Sequence, residues 1–112
     1  MSDLEKLLQL PGALAAFTIS DRGELSEHKV AHNSEIDANT LDMLGHICVA
    51  NTSIATMQAR GWEKLTGMEG FYPINGFTMI GIDWSVVVCC NTAVVMDNDK
   101  ADYQAAYDAL NA

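Results

Sequence analysis

Between Ile36 and Met57 the apolar residues fall on two adjoining stripes. Ile36, Met43, Ile47, Ala50, Ile54 and Met57 make one; Leu41, Leu44, Cys48 and Ala55 make the other. Both keep the three-and-four spacing of an α-helical face. Together they cover more of the cylinder than the ~100° arc a helix needs to dock on one core. A helix this apolar must be covered on two sides. A chain of 112 residues has the length of one domain, here taken as residues 1–112, and one sheet to supply. The second cover is expected from a partner.

The sheet is predicted by the runs on either side of this helix. Residues 3–10 read as a short helix capped by Ser2 or Asp3 and ended by Pro11-Gly12. Ala13 to Ile19 is an apolar run of strand length, as for a strand covered on both faces. Asp21-Arg22-Gly23 turns it into Glu24 to Val30, a mostly polar strand that suits a sheet edge. Asn33 or Ser34 is the expected cap of the long helix, which extends at most through Arg60. Trp62 to Thr66 reads as a separate turn or short helix, leading into the loop Gly67 to Gly76. Three strands follow, Phe77 to Ile82, Ser85 to Cys90 and Ala93 to Met96, joined by short connections that favour antiparallel hairpins. An amphipathic helix from Asp99 to Leu110, capped by Asp97 or Asp99, closes the chain.

This order predicts an α+β fold: an antiparallel five-stranded sheet with the long helix on one face and the two terminal helices on the other. If strand 77–82 is the second edge, it is apolar and prone to aggregate when uncovered. It lies close to the over-apolar helix, so one two-fold contact can cover both.

Composition narrows the partners. The net charge is −9, with only six Lys and Arg, and these do not cluster. Phosphate counterion release needs a basic footprint, and anionic lipid needs a basic or amphipathic face. Neither nucleic acid nor membrane is expected as a partner. The acidic start of the chain does not read as a secretory signal, and an odd count of three Cys is no disulfide framework. A reducing cytoplasm is the expected setting.

Candidate chemistry is sparse. Cys89 and Cys90 are adjacent, and neighbours in a strand point to opposite faces. As strand residues they are expected to pack rather than share a site. Cys48 lies on the apolar helix, with no metal-type spacing to the other two. His28 and His32 are placed at a strand end and in a loop, where they read as solvated. His46, inside the long helix, reads as an interface residue. The Gly67–Gly76 loop lacks the Lys and Ser/Thr of a phosphate loop and precedes a strand, not a helix. No catalytic, metal or cofactor-binding residues are assigned. Trp62, Phe71, Tyr72 and Trp84 are expected to gather near the helix exit and the sheet end, either as a satellite core under the loop or as exposed aromatics that can anchor a partner.

Several segments carry a resemblance to the roadblock superfamily, whose fold is related to profilin and longin domains. They are Leu4-Glu5-Lys6-Leu7-Leu8 with Leu10-Pro11-Gly12, Ala50-Asn51 with Met57-Gln58-Ala59, Gly67-Met68, Pro73, Gly76-Phe77, and Ser85-Val86 with Asn91. More narrowly, the chain is similar to a small prokaryotic family of that superfamily with no established activity. The resemblance implies homodimers joined through the long helix and the third strand, with a continuous sheet across the pair. It also implies scaffolding, or regulation of Ras-like small GTPases, rather than metabolic catalysis. On this reading Leu44, Gly45, Ile47, Cys48 and Met79 are expected at the dimer contact. Trp62, Tyr72 and Trp84 are expected at the surface for a small GTPase or an enzyme complex. The alternative reading is a small-ligand or sulfur carrier using Cys89 or Cys90.

Overall fold

The structure is a computed structural model and describes residues 4–111. The elements are α1 (Leu4–Leu7), β1 (Ala13–Ile19), β2 (Leu25–Val30), α2 (Ala38–Thr66), β3 (Gly76–Ile80), β4 (Trp84–Cys89), β5 (Thr92–Asp97) and α3 (Tyr103–Leu110). The five strands form one sheet in the order β2-β1-β5-β4-β3, and every neighbouring pair is antiparallel. The expected α+β architecture is what the chain adopts.

The two faces of the sheet carry separate cores. On one, α2 sets Leu41 and Cys48 against Phe17, Ile19, Val86 and Val95, with Ile36 joining from just before the helix. On the other, α1 and α3 pack Leu7, Ala106 and Leu110 against Val87, Val94 and Met96. Because β1, β4 and β5 are covered on both sides, they read as continuous apolar runs rather than alternating ones. The edges differ. The polar residues of β2 stand exposed, as do Thr78, Met79 and Ile80 of β3.

The long helix departs from its predicted bounds at both ends. It starts at Ala38 with Asp37 as its cap, accepting from the Thr40 N–H at 2.9 Å, so neither Asn33 nor Ser34 has that role. It then runs unbroken through Gly61 to Thr66, absorbing the expected separate turn, and stops at Gly67 in the left-handed conformation. Gly61 has open space around it. A single helical glycine costs only about 1 kcal/mol relative to alanine, and the contacts beyond it outweigh that. Similarly, α3 begins at Tyr103 under the Asp102 cap, which accepts from the Ala105 N–H. The proposed caps of α1, Ser2 and Asp3, lie outside the described residues.

Gly45 is explained within the chain. A β-carbon on it would stand 2.6 Å from the Gly23 carbonyl oxygen and 2.7 Å from Ile19 Cγ2. The helix therefore touches the β1–β2 hairpin backbone to backbone.

Candidate functional site

With α2 docked through Leu41, Gly45 and Cys48, its other stripe is left uncovered. Met43, Ile54 and Met57 are 66, 55 and 72% exposed, and Ile47 is partly so. The helix is self-sufficient in polar terms along this length. Thr52, Ser53 and Thr56 each return a hydroxyl hydrogen bond to the carbonyl four residues earlier, at 2.7–3.0 Å. Hydroxyls satisfied in this way add little desolvation cost if the face is covered.

The uncovered stripe meets the apolar edge strand. Asn51 on α2 reaches the Met79 sulfur of β3 at 3.9 Å, and Leu44, Met79 and Trp84 line one apolar hollow. Beyond Met79 the edge carries Ile80 and then Ile82 at the tip of the β3–β4 connection. Asn98 holds that tip in place. Its side-chain N–H donates to the carbonyls of Gly81 (2.7 Å) and Ile82 (3.1 Å), and its oxygen partners the buried Ser85 hydroxyl. The apolar tip is thus presented on a fixed turn.

A second apolar region lies at the other end of α2. Trp62 and Phe71 pack edge to face with ring centroids 6.0 Å apart. The Arg60 guanidinium lies 4.4 Å from the Tyr72 ring centre and donates to its hydroxyl at 2.6 Å. The loop that carries Phe71 and Tyr72 is gathered by one carboxylate. Glu63 Oε2 accepts the backbone N–H groups of Gly70, Phe71 and Tyr72 at 2.8–2.9 Å. These bonds, foremost that from Tyr72, hold the Glu63 carboxyl below the usual carboxylate range. Ala55, Ala59, Trp62, Leu65 and Phe71 line an open apolar trough there.

The structure brings some of the expected site residues together and separates others. Ile47 and Met79 face outward, and Leu44 is half-buried beside them. Gly45 and Cys48 are buried on the side of α2 that faces the chain's own sheet. Met43, Ile54 and Met57 take that outward role. Their stripe was visible in the sequence, but which of the two stripes docks depends on Gly45 meeting Gly23. Trp62, Phe71 and Tyr72 form one group. Trp84 is not part of it: it opens β4, whereas the loop feeds β3 at Gly76, which pairs with the far end of β4 at Cys89. His46 is half-exposed on α2, its Nδ1 2.7 Å from the Asp42 carbonyl. Among the described residues no three His, Cys, Asp or Glu side chains group as metal ligands, and no helix is long and apolar enough to cross a membrane.

Of the three cysteines, Cys48 and Cys89 are buried, as packing predicts, and Cys90 departs. Cys48 is buried and its thiol is pushed up to about 11 by desolvation. Cys89 ends β4, but Cys90 is in the following turn at φ 60°, not in the strand. The opposite-face rule therefore does not apply to the pair, and the two sulfurs lie 3.8 Å apart.

Comparison with known proteins places this geometry. A search of curated protein sequences gives no match. Among solved structures, the chain is similar to an MglB with a tetrameric arrangement, at 20% identity and a TM-score of 0.72, covering 94% of this chain and 76% of that one. It is similar to the gliding protein MglB of Thermus thermophilus, at 22% identity and a TM-score of 0.71, covering 96% and 82%. It also matches a Roadblock/LC7 domain from Streptomyces avermitilis, at 13% identity and a TM-score of 0.67, covering 96% and 85%. The fold is thus that of roadblock domains. The family profile described as "Uncharacterized conserved protein (DUF2173)" matches residues 3–112, and the chain belongs to that family.

Proposed function

We propose that this protein is a non-enzymatic interaction module that works as a homodimer, scaffolding or regulating a small GTPase or an enzyme complex. The observation that carries the reading is the continuity of two uncovered features, the Met43–Met57 stripe of α2 and the apolar edge β3, joined at Met79. In a two-fold pair each α2 stripe lies on its counterpart, and β3 pairs with β3 to extend the sheet. Covering a Met or Ile side chain is worth about 1.5–3 kcal/mol. Because these side chains are already partly covered, Met43, Ile47, Ile54 and Met57 from both copies contribute about 7–14 kcal/mol on that scale, comparable to an association cost of about 4–15 kcal/mol.

The partner surface is proposed at the Trp62–Phe71–Tyr72 group, which the Glu63 carboxylate holds in shape. Rigid aromatics anchor interfaces at low entropic cost. The small-GTPase class comes from the resemblance to roadblock regulators and is supported by the shared fold. The test is capture of tagged protein from its native cell beside a Trp62→Ala/Tyr72→Ala variant. A small GTPase or defined complex retained by the wild type and lost by the variant supports the reading. Recovery of the protein alone from both contradicts it.

A further inference from the structure

The β4–β5 hairpin turn brings two thiols into contact. Cys89 pairs with Thr92 across the hairpin, leaving Cys90 and Asn91 as its two central residues. Cys90 occupies the first central position with φ 60°, where a two-residue turn of this kind ordinarily has glycine. A non-glycine residue held at positive φ is uncommon, and such residues concentrate at functional sites. Here the positive φ swings the Cys90 side chain back so that its sulfur lies 3.8 Å from that of Cys89.

The two thiols differ in access. Cys90 is exposed; Cys89 is 1% exposed, beneath the end of α3. The Cys89 sulfur is 3.2 Å from Asn111 Oδ1, which also accepts from Asn75 Nδ2 at 3.1 Å. The Cys90 N–H donates to the Asn75 carbonyl at 3.2 Å, fixing the turn from the other side. One thiol is open to solvent reagents, and the other is held in contact behind it. That is the arrangement of an attacking and a resolving cysteine.

We infer that Cys89 and Cys90 form a dithiol site that exchanges with low-molecular-weight disulfides and closes to a disulfide across the turn. Cys90, as thiolate, attacks one sulfur of the small disulfide. A mixed disulfide forms and one small thiolate leaves. The Cys89 sulfur then attacks the Cys90 sulfur, expelling the second small thiolate, which takes up the Cys89 proton. The protein dithiol is oxidised by two electrons, and the small disulfide is reduced to two thiols. Adjacent Cα atoms are ~3.8 Å apart across a trans peptide, closer than the usual ~4.4–6.8 Å for a disulfide. The closed form is therefore strained and readily reduced, as suits a reversible site. Burial raises the Cys89 thiol above its ordinary range, so the second step quickens as pH rises and the mixed disulfide persists longer in mild acid.

The test is incubation of the intact native protein with glutathione disulfide, read by intact-mass and peptide mass spectrometry. The expected product is a chain lighter by two hydrogens, with the link at Cys89–Cys90, restored by dithiothreitol and leaving Cys48 unmodified. Cys90→Gly, which suits the left-handed turn and preserves the fold, should give no such product. Cys89→Ser should hold glutathione on Cys90. A wild-type chain that keeps a stable glutathione adduct, crosslinks between chains through Cys90, or does not react would overturn the inference.

Discussion

Gly45 and Glu63 show how single residues fix the surfaces of this protein. At Gly45 the helix lies against the Gly23 carbonyl with no room for a methyl group. Gly45→Ala would normally gain about 1 kcal/mol in helix propensity, but here it forces the hairpin and helix apart. We expect a net loss of about 1–3 kcal/mol, the range for an overpacked core, read as a lower midpoint in denaturant. Glu63 acts on the loop that carries Phe71 and Tyr72. Its folded pKa is depressed by the loop N–H groups, so its contribution is present above the ordinary carboxylate range and is lost as pH falls through the folded value. Glu63→Ala should raise amide exchange at Gly70, Phe71 and Tyr72 at neutral pH. The wild type should approach the variant's exchange pattern only in acid. Nothing in the sequence marks Glu63, because its three acceptor bonds depend on how the loop folds back over α2.

At the scale of elements, α2 has two duties separated by face. The stripe of Leu41, Leu44 and Cys48 closes the core over β1, β4 and β5, while Met43, Ile47, Ile54 and Met57 stay outside. This predicts opposite phenotypes for neighbouring substitutions. Leu41→Ala opens a cavity under the helix and should cost about 2–5 kcal/mol of stability. Ile54→Glu leaves the core untouched, and its thermal midpoint at high dilution should match that of the wild type within the small scatter of surface changes. The presence of both stripes was legible because helical periodicity is a property of the chain alone. So were the strands, whose apolar runs end at Gly, Asp and Asn. The assignment of each stripe was not legible, since it depends on the Gly45–Gly23 contact between residues far apart in sequence. The length of α2 was also missed. Gly61 reads as a stop, yet the loop that returns over Ala59 and Trp62 makes the last turns worth keeping. Trp62 and Trp84 flank β3 in sequence, but the β3–β4 hairpin carries Trp84 to the end away from the loop that enters at Gly76.

Taken whole, the molecule is asymmetric in what it leaves uncovered. One edge of the sheet is guarded by the charged residues of β2, and one sheet face is closed by α1 and α3. The remaining edge and the outer side of α2 are apolar and adjoin at Met79. An acidic chain with a net charge of −9 resists non-specific association through such a surface but does not cover it. The proposed homodimer would cover both parts in one contact. The most direct test is sedimentation equilibrium of the intact protein across a wide concentration range, beside Ile54→Glu. The expected result is a wild-type species of twice the 12.1 kDa chain mass, and a shift toward the single-chain mass in the variant. A wild-type protein that sediments as a single chain at every concentration would contradict it.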